Sequence, residues 1–174
     1  RAMGYHWPVL RGLAHLGLLS DMETEGFRVP EFSFRVHATG EDIRYPASVL
    51  EGDTDHPYML ILGQNRLAGI VLNHLEKLRN VNILWQTRFR SLRQDPEGVT
   101  LIAESDGREI EILADWLIGA DGGRSSVRKS LGLGFSGLTW PDRFVATNIR
   151  YDLDKFGWGQ MGFLLDAETP AVIG

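Results

Sequence analysis

Two stretches of the chain place apolar residues at helical spacing. In the first, Val9, Leu10, Leu13 and Leu16 form a stripe behind Pro8, whose fixed φ suits an opening turn, and Gly17 marks the stop. In the second, Leu67, Ile70, Val71, Leu75 and Leu78 predict a helix over residues 64–79. Apolar runs at 57–62 and 112–118 read as buried strands, and residues 81–85 read as a returning strand. Strand 57–62, the helix and strand 81–85 together predict a βαβ unit with a right-handed crossover.

Alternation takes over elsewhere. Residues 32–38 and 42–45 flank Thr39-Gly40-Glu41 as the arms of a hairpin, followed by a polar loop at 46–57. Strands at 86–92, 99–104 and 109–113 form a meander, with turns at Asp95-Pro-Glu-Gly98 and at Asp106-Gly107, where glycine supplies positive φ. The third strand is expected to run on through Trp116-Leu-Ile-Gly119 into a parallel sheet. A short helix follows over 126–131, and strands at 143–151 and 159–165 suit an antiparallel sheet that pairs with the early hairpin.

The chemistry concentrates where strand 112–118 meets helix 126–131, at Gly119-Ala-Asp-Gly-Gly-Arg-Ser-Ser-Val-Arg128. Adjacent glycines let a backbone approach a ligand closely, and the first N–H groups of a helix lack partners inside it. Phosphates and hydroxyl-rich groups suit such a place. Asp121 is placed to accept hydrogen bonds from ribose hydroxyls, or to cap the helix; spacing alone leaves both readings open. Arg128, about a turn in, steadies either an anion or the turn itself.

This segment resembles the second FAD fingerprint of the class A flavoprotein monooxygenases, the para-hydroxybenzoate-hydroxylase-like aromatic hydroxylases. The family motif is an Asp-Gly pair with Ser and Arg downstream, matched here by Asp121-Gly122, Ser126 and Arg128. Arg1-Ala-Met-Gly, entering a helix that ends in His15-Leu-Gly-Leu-Leu19, is similar to the family segment whose Arg lies against the FAD pyrophosphate, so the resemblance gives Arg1 that role. Leu62-Gly-Gln-Asn-Arg-Leu67 is similar to the segment whose Gln contacts the flavin nucleotide, so Gln64 takes that one. Thr139-Trp-Pro-Asp-Arg-Phe-Val-Ala-Thr-Asn-Ile-Arg-Tyr151 resembles the strand that crosses into the substrate domain.

The resemblance also implies an opening Gly-x-Gly-x-x-Gly turn ahead of Arg1 and a late Gly-Asp motif, neither of which lies in these residues. The sequence is therefore expected to be an internal part of a longer enzyme and, taken alone, to bind FAD weakly or not at all. Gly132-Leu-Gly-Phe-Ser-Gly137 matches the letters of the first motif. It follows a helix, not a strand, and Leu138-Thr-Trp-Pro141 cannot open a long helix, so the match is accidental.

Composition narrows the partners. At 174 residues, 43% hydrophobic and 24% charged, the chain has the make-up of a soluble globular protein. A net charge of −5 argues against nucleic acid, and Arg88, Arg90 and Arg93 read as a solvated strand face. With no cysteine, disulfides, thiolate catalysis and Cys-ligated metals are excluded. The five histidines show no metal-ligand spacing, and His74 beside the helix stripe reads as packed or half-exposed. The absence of a spanning run or signal pattern suits a cytoplasmic protein without a membrane partner.

The expected fold class is α/β in the mixed α+β sense: part of an FAD-binding, Rossmann-like layer of the glutathione-reductase type with a β-meander, interleaved with an antiparallel substrate-domain sheet. Residues 1–29 and 58–137 are assigned to the FAD-binding domain, and 30–57 and 138–174 to the substrate sheet. The cofactor-binding residues are Arg1, Gln64, Asp121, Gly122 and Arg128, and no catalytic or metal-binding residue is assigned. By resemblance, the activity is hydroxylation of a small aromatic, phenolic-type substrate. In it NADPH or NADH reduces FAD, and a flavin hydroperoxide formed with O₂ delivers the oxygen. Alternatives are a halogenase, epoxidase or reductase of the same fold, or a nucleotide- or SAM-binding module without oxygen chemistry. Tyr45, Tyr58, Trp140, Tyr151, Trp158 and Met161 are aromatic or soft enough to line a pocket, although core packing is the better reading for each.

Overall fold

The computed structural model describes residues 4–147 and 149–174. The chain divides into two compact units, Arg1–Val81 with Thr147–Gly174, and Asn82–Ala146.

The first unit begins with strand β1 (Gly4–Tyr5) and helix α1 (Trp7–His15), which opens on Pro8 as its spacing predicts and buries Leu10 completely. Helix α2 (Leu19–Glu25) turns Leu19 and Met22 inward, and β2 (Phe27–Val29) follows at once. The hairpin is β3 (Glu31–Val36) and β4 (Asp42–Pro46), in register from Glu31 opposite Pro46 to Arg35 opposite Asp42. Within the expected polar loop, Ala47–Leu50 winds into a 3₁₀ turn that buries Ala47. Strand β5 (Met59–Ile61) then leads into α3 (Gln64–Leu75), which ends one turn earlier than its apolar stripe suggests.

The second unit is the meander β6 (Thr87–Asp95), β7 (Gly98–Ser105) and β8 (Arg108–Ala114), followed by the short helix α4 (Ser126–Ser130). The β7–β8 turn places Asp106 and Gly107 both at positive φ, 50° and 75°, the geometry whose twist matches antiparallel strands. The register slips between Phe89 and Ser91, so Arg90 sits in a bulge. Across the strands, Arg90 pairs with Glu104 and Arg93 with Glu111 at 2.7 Å, which makes this the solvated, charge-paired face that the arginine spacing predicts.

The chain returns to the first unit with a 3₁₀ turn at Leu153–Phe156, β9 (Gly162–Leu165) and β10 (Ala171–Ile173). The hairpin pairs with the late strands as expected, in the order β10-β9-β3-β4. Its β3–β9 edge is parallel while the other two edges are antiparallel. In the smaller sheet β5 lies between β1 and β2, antiparallel to both. Leu10, Leu18, Leu19, Met22, Tyr58, Leu60, Leu62 and Ile70 form the core that binds this sheet to its three helices.

Three expected elements do not form. Residues 81–85 make no strand, so the βαβ crossover is absent, and Leu84 and Trp85 stand exposed. Residues 115–120 leave the ladder after Ala114, with Trp116 and Ile118 each almost fully exposed, so the supposed buried strand before Asp121 is an unpaired extension of β8. The described residues of 143–151 are irregular as well. The physical reason is common to all three: a strand is stable only where its N–H and C=O groups meet a neighbour, and among the described residues these segments meet none.

Candidate functional site

The Asp121 turn is built from its own short-range bonds. Gly122 adopts φ +83°, which a side chain would resist, and Ser125 N–H donates back to the Gly122 carbonyl at 2.9 Å. Asp121 Oδ2 accepts from the N–H of Ser126 at 2.6 Å and of Val127 at 3.2 Å. Ser125 Oγ accepts from Arg128 N–H at 3.0 Å, so the two side chains share the free donors of α4. Between the alternatives left open by spacing, the capping role of Asp121 is therefore realised. Its carboxyl is held below the usual aspartate range, first by the Ser125 hydroxyl and then by the backbone N–H groups.

Capping does not exhaust the turn. A Cβ added at Gly122 or at Gly123 would meet open space, so the double glycine presents bare backbone on an exposed face beside an ionised carboxylate. At Gly119, by contrast, an added Cβ would sit 3.0 Å from Val127, so the missing side chain lets α4 pack against the incoming chain. Arg128 Nη1 donates to the Gly123 carbonyl at 2.8 Å, and its guanidinium lies 4.5 Å from the Phe135 ring centroid. Of the two roles its position suggested, Arg128 takes that of steadying the turn.

The structure brings Asp121, Gly122 and Arg128 into one turn of the second unit. Gln64 belongs to the first unit, exposed at the opening position of α3 behind Gly63. Arg1 lies outside the described residues. His74 is half-buried and meets Asp21 at 2.7 Å, bridging α3 to α2. The decoy glycines at 132–137 lead into no helix.

The chain matches a family profile described as "FAD binding domain" over residues 1–163. The chain belongs to this FAD-binding domain family. The match makes FAD the cofactor to consider, and the open glycine face with its ionised carboxylate fits a hydroxyl-rich nucleotide approaching the backbone. Over 99% of its length the chain is 41% identical to 6-hydroxy-3-succinoylpyridine 3-monooxygenase of Pseudomonas putida, covering 44% of that protein. It is 40% identical to para-nitrophenol 4-monooxygenase of a Pseudomonas species, again over 99% of the chain and 43% of the relative. The crystal structure of p-nitrophenol 4-monooxygenase from Pseudomonas putida superposes with a TM-score of 0.93 at 38% identity, covering 99% of this chain and 44% of that one. The chain thus spans less than half the length of these relatives, and its resemblance to the class A flavoprotein monooxygenases is borne out.

Sequence reasoning missed two polar clusters. Tyr58 is buried and donates its hydroxyl to Glu23, which also accepts from Arg28 Nη2 at 2.9 Å, while the Arg28 guanidinium lies 4.4 Å from the Tyr58 ring centroid. Burial, then the Glu23 carboxylate, pushes the phenol up to about 12. The second cluster is Arg35, Asp42 and Arg44, in which Asp42 accepts from Arg35 at 3.3 Å and from Arg44 at 2.9 Å. Hairpin register was a usable signal for it, since Arg35 and Asp42 stand directly opposite each other.

Proposed function

We propose that this chain is part of an FAD-dependent monooxygenase that hydroxylates a small aromatic ring bearing a hydroxyl group, with NADPH or NADH as reductant and O₂ as oxygen source. The observation that carries the reading is the Asp121-Gly122 turn, in which an ionised carboxylate stands beside open glycine backbone within a chain of the FAD-binding domain family. The names of the relatives, which oxygenate para-nitrophenol and a hydroxypyridine, support a hydroxylated six-membered ring as the substrate class.

When bound, FAD supplies the electron and oxygen chemistry, and the protein supplies binding, orientation and exclusion of water. In this reading Asp121 accepts hydrogen bonds from flavin-nucleotide hydroxyls through lone pairs not used by Ser126 and Val127. Gly122 lets the nucleotide approach, Arg128 holds the turn through Gly123, Gln64 contacts the nucleotide from the start of α3, and Arg1 faces the pyrophosphate. Residues 1–29 and 58–137 belong to the cofactor domain and 30–57 with 138–174 to the substrate sheet. No helix among the described residues is long and apolar enough to cross a membrane. We place the enzyme in the cytoplasm.

The test is made on the complete protein. Purified enzyme should carry FAD and oxidise NADPH or NADH faster when a hydroxyarene is added, with a hydroxylated product. Flavin-free protein that never consumes NAD(P)H would instead favour a nucleotide-binding module. Bound flavin with halogenated or epoxidised product would assign one of the other chemistries of this fold.

A further inference from the structure

The first unit contains an open pocket of about 370 Å³ whose lining includes Arg28, Ser33, Trp158, Gln160 and Met161. Of the six side chains that the sequence offered for a pocket wall, Trp158 and Met161 are here brought to one cavity. Small-molecule sites span roughly 300–1,000 Å³, so this one suits a single substituted ring better than a large polycycle.

What holds the indole is not its own strand. Trp158 lies in the irregular turn between the 3₁₀ segment and β9, and Arg35 of β3 reaches across to fix it. Arg35 Nη1 donates to the Phe156 carbonyl at 2.8 Å and Nη2 to the Gly157 carbonyl at 3.0 Å, and its guanidinium lies 4.3 Å from the Trp158 ring centroid. Arg44 Nη2 donates to the same Gly157 carbonyl at 3.0 Å, and Asp42 sets both arginines in place. Close by, Gly162 leaves room for the ring, because an added Cβ would fall 2.8 Å from Trp158 Cε3. Two guanidinium groups spent on two adjacent carbonyls are more than a surface turn requires, and the side chain they immobilise lines a cavity.

We propose that Trp158 is the stacking wall for the aromatic ring of the substrate and that Arg35 is the positioning residue that holds it there. The inference rests on the flavin-dependent hydroxylase reading and assigns that enzyme's ring-binding subsite. Aromatic stacking gains from a wall already fixed in place, since less freedom is lost when the ring binds. Arg35 touches the indole and its turn, and acts on the ring only through them.

The test is a double-mutant cycle on the complete enzyme, with kinetics for whichever hydroxyarene the wild type turns over best in a panel that starts with para-nitrophenol. Trp158→Leu and Arg35→Met should each raise KM by about tenfold, equivalent to ~1.4 kcal/mol of ring binding, with kcat within about twofold. Trp158→Phe should stay near the wild type, and Arg35→Lys should fall between wild type and Arg35→Met because an ammonium cannot fork or stack in the same way. The decisive readout is the double variant: in the Trp158→Leu background, Arg35→Met should cost nothing further. Should Arg35→Met fail to fold, Arg35→Lys takes its place in the cycle. An unmoved KM, or losses that multiply in the double variant, would overturn the proposal while flavin retained in every variant keeps the hydroxylase reading intact. A wild-type enzyme without flavin or NAD(P)H oxidation would overturn both.

Discussion

The carboxylate of Asp121 holds the N–H of Ser126 at 2.6 Å, and that bond helps tie the double-glycine turn to the helix behind it. Capping and the proposed nucleotide binding meet at this residue, but they differ in what they ask of it. A cap needs an oxygen acceptor; a nucleotide hydroxyl gains further from a charged one.

Asp121→Asn and Asp121→Ala separate the two. Asparagine keeps an acceptor for Ser126 and Val127, whereas alanine removes it, so alanine should destabilise the second unit by about 1 kcal/mol and asparagine by a fraction of that. Both variants should lose FAD affinity, and alanine more than asparagine. Thermal unfolding, with flavin titration of the apoprotein, reads the two effects independently.

The same contacts give a sign for acid. Hydrogen bonds to the ionised carboxyl lower its pKa in the folded state. The capping contribution is thus fully present above the ordinary aspartate value and is lost as pH falls through the lower folded value. Amide exchange of Ser126 and Val127 should accelerate across that acidic window in the wild type and show no such step in Asp121→Asn.

Tyr58 behaves in the opposite sense. Its phenol is pushed up to about 12 by burial and by Glu23, so the neutral form is favoured in the fold. The stabilisation is present below the ordinary phenol range and is lost as pH rises through the folded value. Tyr58→Phe should cost about 1–2 kcal/mol near neutrality, since it leaves Glu23 with one partner fewer, and should flatten the alkaline limb of a pH–stability curve.

Packing and surface charge give a contrasting pair. Met22 is fully buried among Leu10, Leu19 and Leu60, so Met22→Ala should lower unfolding free energy by about 2–5 kcal/mol. Arg93→Ala removes an exposed pair with Glu111 and should change it by less than ~1 kcal/mol. Urea unfolding of both variants tests whether the core or the charged strand face carries the stability.

Legibility in the sequence followed the range of the interaction. Helix α1 behind Pro8, the hairpin around Thr39-Gly40-Glu41, the Asp106-Gly107 turn and the short α4 are each specified by residues within a few positions of one another, and each is found. Residues 81–85, 115–120 and the described residues of 143–151 carry strand-like composition but find no ladder partner among the described residues, and composition alone cannot supply one. At the candidate site the Asp-Gly-Gly spelling located the turn, and the family resemblance supplied the ligand proposed for it. The Arg35 clamp was not readable, because its acceptors are carbonyl oxygens more than a hundred residues away that any residue type would offer.

The proposed flavin site stands or falls at the Asp121 side chain. A crystal structure of the complete protein loaded with FAD should place an Asp121 carboxylate oxygen within ~3.2 Å of a hydroxyl of the flavin nucleotide, with Gly122 backbone against the same ligand. An FAD molecule bound with Asp121 engaged only in capping Ser126 and Val127, and Gly122 facing bulk water, would contradict it.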